Sequence, residues 1–197
     1  MQAETQRFEK AYQLSQIETE LGLCVVVPTR NNVPNFRYEA NLQSILQQEY
    51  NNYRLVIVDD ASTDHTASFI ELWLRQSKLP STRYRLIKNQ ERISAVPNIN
   101  MAIKQHCHQD DIAVIVNGDD ELLGKKVFQV VNAIYQRHHP GVAYTNHIHG
   151  HLDKQDFDKG YSRSYKFTDI KNRNYRLVGQ HFGHMRTFLV KLFLEVR

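Results

Sequence analysis

The sequence lacks a glycine-rich phosphate loop. No G-x-G-x-x-G follows its first apolar run, which argues against a classical dinucleotide fold. No G-x-x-x-x-G-K-[ST] occurs either, which excludes a P-loop. Cysteine is scarce. Cys24 and Cys107 are the only two, too few for a disulfide framework, and Cys24 reads as a small buried hydrophobe in an apolar strand. No run of 18 or more apolar residues is present, so no membrane-spanning helix is encoded. Residues 1–20 are polar and lack the apolar core of a signal peptide. The expectation from these absences is a soluble, cytoplasmic chain. There is no internal repeat and no low-complexity tract. Charge of one sign is only slightly in excess, 25 Lys and Arg against 21 Asp and Glu, for a net +4. That balance favours a polyanionic ligand without requiring nucleic acid.

What is present is an alternation of buried strands and amphipathic helices. At 197 residues the chain fits one domain with a small appendage. Residues 3–19 read as a helix, so residues 1–20 are set apart as an N-terminal helical extension. Leu23 to Pro28, Leu55 to Val58, Tyr84 to Ile87, Ile112 to Val116 and Val142 to Tyr144 read as strands. Helices are expected over about 35–48, after Asp64 with Phe69, Ile70, Trp73 and Leu74 inward, from Ala95 with Ser94 as cap, and over 125–137. This order predicts an α/β fold, a mostly parallel sheet flanked by helices. Residues 147–176 are polar and read as a long surface excursion. From Met185 the apolar pattern returns.

Two strands end in carboxylates: Val58-Asp59-Asp60, followed by Asp64, and Val116-Asn117-Gly118-Asp119-Asp120-Glu121. In an open α/β sheet, ligands bind outside the carboxyl ends of the strands, so the two clusters are expected to converge on one crevice. Carboxylates repel a bare phosphate. A divalent cation bridging them to a diphosphate gives them a role, because hard cations prefer oxygen ligands. The loop Pro28-Thr29-Arg30-Asn31 replaces a glycine-rich turn. Its hydroxyl, guanidinium and amide suit a base, a ribose and a phosphate.

Taken together, Val25 to Asn31, Val56 to Asp64, Asn89 to Ile103, Asn117 to Leu122 and Gly183 to Phe188 resemble family 2 glycosyltransferases of the glycosyltransferase-A fold. The resemblance covers roughly residues 22 to 193. It implies transfer of a sugar, with inversion, from a nucleotide-diphosphate sugar, here expected to be a UDP-sugar, helped by Mn2+ or Mg2+. It divides the domain at 21–197 into a donor-binding half, 21–121, and an acceptor-side part, 122–197. Pro28, Thr29, Arg30 and Asn31 would line the nucleotide pocket, with Asp59 on the base and Asp60 beside it. Arg92 would reach the base or phosphates. Asn117, Gly118 and Asp119 occupy the DxD-type motif, with Asp119 and Asp120 as metal ligands. His184 and Arg186 would face the acceptor or the diphosphate. The acceptor class, whether glycan, lipid or protein, is left open.

Two positions depart from the family pattern. The motif opens with Asn117 where the family has aspartate, which removes a charge. The family's general base usually follows the acceptor-side strand, and the chain stops at Arg197. The base is therefore expected beyond that residue or absent, with Asp153, Asp156 and Asp158 as fallback candidates. One alternative is a degenerate or truncated member that binds nucleotide without efficient transfer. Another is a basic nucleic-acid-binding module built on Tyr161, Tyr165 and Tyr175 among basic residues. No nucleic-acid-binding module surrounds those tyrosines, so no nucleic-acid partner is expected. His147, His149 and His151 share one face of any strand they form, but no fourth zinc ligand is evident.

Overall fold

The computed structural model describes residues 19–145, 149–151, 156–158, 168, 171–172 and 185–195. The expected N-terminal helix and residues 153 and 184 lie outside them. Strand β1 spans Leu23–Thr29, and all seven of its residues are buried. A single 3-10 turn leads into helix α1, Arg37–Leu46. Then come β2 (Tyr53–Asp59), α2 (Thr66–Gln76), β3 (Tyr84–Lys88), α3 (Ala95–His106), β4 (Ile112–Ile115), α4 (Val127–His138) and β5 (Val142–Tyr144). A short antiparallel pair, β6 (His149–His151) with β7 (Asp156–Asp158), forms a second sheet inside the polar excursion. Strand β8 (Arg186–Leu189) and helix α5 (Val190–Glu195) follow.

The main sheet has six strands in the order β3-β2-β1-β4-β8-β5. Pairs β3-β2, β2-β1 and β1-β4 are parallel, as the alternation of strands and helices predicts. Strand β8 runs antiparallel between β4 and β5. Sequence order therefore moves outward from β1 to β3 and then returns past β1 to β4. That reversal makes the gap between β1 and β4 the topological switch point, where open α/β sheets bind ligands.

Alternate residues of β1 feed two cores, as the two-residue period of a strand requires. Leu23, Val25 and Val27 pack with Leu42 and Ile45 of α1, Ile70 and Leu74 of α2, and Phe128 and Val131 of α4. Cys24 and Val26 pack with Ala102 and Ile103 of α3 and Val190 of α5. Complete burial of one such side chain is worth about 1.5–3 kcal/mol, so the shared central strand holds both layers in register.

The expectation for cysteine is corrected here. Cys24 and Cys107 form a disulfide, with Cα atoms 5.6 Å apart across 83 residues of sequence. Helix α3 packs over β1 and β2. It delivers Cys107, one residue past its end, onto the buried face of β1. Nothing in the spacing of two cysteines announces that encounter.

Candidate functional site

The carboxyl ends of β1, β2 and β4 are stitched into one edge. Thr29 lies level with Asp59 in the β1-β2 register. The Asp60 N–H donates to the Thr29 carbonyl at 2.9 Å, and the Gly118 N–H donates to the Pro28 carbonyl at 3.0 Å. The β1 and β2 loops also exchange side-chain bonds. Asn31 N–H donates to Ser62 Oγ at 3.0 Å, and Thr63 N–H donates to Asn31 Oδ1 at 2.8 Å. Asn32 is buried, and its backbone N–H donates to Thr66 Oγ1 at 2.7 Å while its amide donates to Thr29 Oγ1 at 2.8 Å. The two acidic clusters thus flank the end of β1 on the same edge of the sheet, one on each side.

Gly118 is required by this closeness. A Cβ built there would lie 2.5 Å from Thr29 Oγ1 and 2.8 Å from Asn32 Nδ2, closer than any packed side chain tolerates. The β1 and β4 loops touch here through backbone and short side chains alone. Backbone strain gathers at the same edge. Asn31, Ala61, Ser94 and Met185 hold positive φ of 52°, 53°, 75° and 53° without being glycine. Such residues persist where surrounding bonds over-determine them, and they concentrate at binding sites.

Asp59 is buried, at 3% exposure, and its carboxylate accepts the Ser62 N–H at 3.0 Å and the Ser62 hydroxyl. A carboxylate offers about four acceptor directions, so Ser62 orients it without saturating it. Asp60 faces the other way. Its oxygens accept the Asn89 amide at 3.0 Å and the N–H groups of Ile93 and Ser94 at 2.9 Å each. Burial alone would raise the Asp60 carboxyl, but the Ile93 N–H, the Asn98 and Asn89 amides and the Ser94 N–H outweigh it and hold it below its usual range. Asp60 thereby fixes the loop before α3, while Ser94, expected as the cap of that helix, makes no side-chain capping bond. Its described bonds are all within the protein rather than poised toward a ligand. Asp64 caps α2, accepting the Thr66 N–H at 2.9 Å and bracing the Val33 N–H at 3.3 Å.

In the second cluster, Asp119 is about half exposed and stands 3.8 Å from Arg37, an ion pair of little strength at that exposure. Asn117 donates its amide to Asp120 Oδ2 at 2.9 Å. The asparagine that replaces the usual aspartate thus orients its neighbour's carboxylate. Arg30 follows β1, and Arg186 opens β8 opposite Ile115 at the end of β4. Each buries an Nε–H that makes no hydrogen bond among the described residues. Buried donors are normally satisfied, so these two guanidinium N–H groups at the edge are available to an anionic acceptor. Arg92 is exposed on the loop before α3. Asp156 and Asp158 stand at the two ends of β7.

Residues 24–197 match the family model for glycosyl transferase family 2. The chain belongs to that family. Among relatives of this glycosyltransferase chain, an uncharacterized protein of Mycobacterium tuberculosis is 32% identical over 101 residues, 51% of this chain and 28% of the relative. The mannosyltransferase PcManGT from Pyrobaculum calidifontis, solved in complex with GDP-Man and Mn2+, superimposes with a TM-score of 0.65 at 18% identity. That match covers 98% of this chain and 53% of the solved one. S. aureus TarS, residues 1–349 in complex with UDP-GlcNAc, superimposes with a TM-score of 0.53 at 23% identity, over 64% of this chain and 34% of that one. These likenesses establish the glycosyltransferase-A fold. The chain spans about half of the first solved protein, and about a third or less of the other two.

Sequence reasoning missed the residues that hold the site from behind. Ser62, Asn32, Asn41 and Asn89 carry no charge, and each reads as an ordinary loop or helix-surface residue. The one available signal was the polar spacing along α1, taken up below.

Proposed function

We propose that this chain carries the donor site of an inverting transferase that moves a sugar from a UDP-sugar to an acceptor with a divalent cation. The observation that supports it most is the convergence of Asp59, Thr29 to Arg30 and Asn117 to Asp120 on the switch-point edge. Asp59, held by Ser62, accepts the imide N–H of a uracil ring. Cytosine has no donor at that ring position, so the same carboxylate selects uridine over cytidine. Pro28, Thr29 and Asn31 wall the nucleoside. Arg30 and Arg186 would offer their Nε–H groups to the diphosphate, Arg92, exposed on the loop before α3, would reach the base or phosphates, and His184, two residues before Arg186 in sequence, would serve the same side.

Among the described residues, no group of three His, Cys, Asp or Glu side chains could cage an ion. Mg2+ and similar hard cations need no such cage. They are held by one or two carboxylates, with substrate phosphates and water completing the shell. Asp119, half exposed, and Asp120 fit that pattern and would hold Mn2+ or Mg2+. When bound, the cation supplies charge neutralisation for the leaving diphosphate. Inversion also needs a general base at the acceptor hydroxyl, worth about 10²- to 10⁴-fold in rate. Asp153, Asp156 and Asp158 in the polar excursion remain the candidates within this sequence. The acceptor is a glycan, lipid or protein hydroxyl.

The test is UDP release from UDP-sugars with and without Mn2+, beside competition binding of UDP, CDP and GDP. Metal-dependent release and a preference for UDP are expected. Asp59→Ala should weaken UDP binding about tenfold, the scale of one lost hydrogen bond to a charged group, and narrow the preference. Equal binding of all three nucleotides by the unaltered protein would remove the role given to Asp59.

A further inference from the structure

The segment 116–126 carries the acidic cluster and has no regular secondary structure. Its buried backbone groups must therefore find partners elsewhere. They find many of them along one stripe of α1 and its C-terminal extension. Arg37, Asn41, Ser44 and Gln48 are spaced by four, three and four residues, which places them on one helical face. Arg37 stands against Asp119. Ser44 Oγ accepts the Leu122 N–H at 3.0 Å and donates to the Asn41 carbonyl at 2.8 Å. Gln48 donates to the Gly124 carbonyl at 2.6 Å and accepts the Phe128 N–H at 3.2 Å. The rungs of this ladder follow the loop residue by residue.

Asn41 holds the rung beneath the carboxylates. Its side-chain nitrogen donates to the Asn117 carbonyl at 2.9 Å and to the Asp120 carbonyl at 2.7 Å. It is 2% exposed, so its amide is spent on these two carbonyls rather than on water. The two carbonyls are the ends of the four-residue turn that the Asp120 N–H closes on Asn117 at 3.0 Å. One amide, with its two hydrogens, thus clamps both ends of the turn that presents Asp119 and Asp120.

We infer that α1 is the rack that shapes the acidic loop, and that Asn41 is the positioning residue for the two carboxylates assigned to the cation. This rests on the donor reading above, because the carboxylates' role comes from it. Loss of the clamp takes one hydrogen bond from each of the two carbonyls, leaves the Asp120 N–H on the Asn117 carbonyl to hold the turn, and lets the turn open. A site that needs its groups within about 0.5 Å of their working positions does not survive such slack. Gln48 belongs to the same ladder but clamps residues beyond the turn. It is an internal control for the purely structural part of the effect.

The experiment compares Asn41→Leu and Gln48→Leu with the unaltered protein. UDP affinity is measured with and without Mn2+, and amide hydrogen exchange is followed without ligand. Asn41→Leu should reduce the Mn2+-dependent gain in UDP affinity about tenfold, with metal-free affinity within about twofold. Gln48→Leu should lose comparable thermal stability and keep the gain. Exchange at the Gly118 and Asp120 amides should quicken in Asn41→Leu and not in Gln48→Leu. Asn41→Ala removes the same donors without bulk and serves if the leucine variant does not fold. Equal loss of the gain in both variants, or none in either, would overturn the assignment. If the unaltered protein shows no Mn2+ gain, the donor reading fails. The exchange data then decide the clamp alone, and unchanged exchange at Gly118 and Asp120 would overturn it.

Discussion

Replacing both Cys24 and Cys107 by alanine should lower the melting temperature by about 5–15 °C, because a disulfide closing a long loop contributes about 2–4 kcal/mol and each costs about 2–4 °C in a domain of this size. The loop closed here is 83 residues long, near the upper end of the range where the entropic effect is large. Cys24 is fully buried between β1 and α3, so the bond also ties the sheet's central strand to the helix that begins at the site's edge. Calorimetric melts of the unaltered protein with and without a dithiol reductant should show the same drop. An unchanged melt, with two thiols titrating in the native protein, would show that the bond does not form. The result also bears on compartment. Lasting disulfides are rare in a reducing cytosol, so the bond and the cytoplasmic expectation pull in opposite directions. No helix among the described residues is long and apolar enough to cross a membrane.

Asp60→Ala should cost about 3 kcal/mol, since the N–H groups of Ile93 and Ser94 and the Asn89 amide lose one shared, buried carboxylate acceptor together, and a hydrogen bond to a charged group is worth about 1.5–3 kcal/mol. The melting temperature should fall by about 6–12 °C, and protease sensitivity should rise at the loop before α3. The same carboxylate sets a pH dependence. Its folded pKa lies below its unfolded value, so its stabilisation is complete above the unfolded value, near 3.9, and is lost as pH falls from there through the folded one. Burial would raise Asp64 too, but the Thr66 hydroxyl and N–H and the Val33 N–H bring it down, so it adds in the same direction. Denaturant melts of the unaltered protein should therefore weaken steeply below about pH 4. Asp60→Ala should start lower and weaken less over that interval. A variant that kept the full acid slope would place the linked carboxylates elsewhere.

The sheet was legible because β-branched runs such as Leu55 to Val58 and Ile112 to Val116 have no other stable home than a buried strand. The polarity of the strands then placed Asp59 and Asp119 on one edge, without any contact being known. The place of β8 between β4 and β5 was not legible. Arg186 to Leu189 is short, and antiparallel insertion leaves no local mark. The disulfide was hidden for a related reason, since α3 crosses the sheet by a path that spacing alone does not fix. Asp60 was assigned to the nucleotide pocket because it adjoins Asp59. A strand's two-residue period sends neighbouring side chains to opposite faces, and the structure gives Asp60 to the α3 loop. The α1 rack was legible in part. Asn41, Ser44 and Gln48 recur at helical spacing, but polar residues on a helix ordinarily face water, and only the loop that covers them reveals otherwise. The strained Asn31 and Ala61 are invisible to a reading that looks to glycine for positive φ.

A calorimetric titration of UDP into the protein, with and without Mn2+, beside Asp119→Asn, bears most directly on the donor site. Mn2+ should raise the affinity of the unaltered protein about tenfold or more, the scale of about 1–3 kcal/mol for a contact to a charged group. Asp119→Asn should fold normally by circular dichroism and lose that gain. Equal metal-dependent affinity in the two proteins would contradict the assignment of Asp119 to the cation, and no gain in either would contradict a metal-assisted donor site altogether.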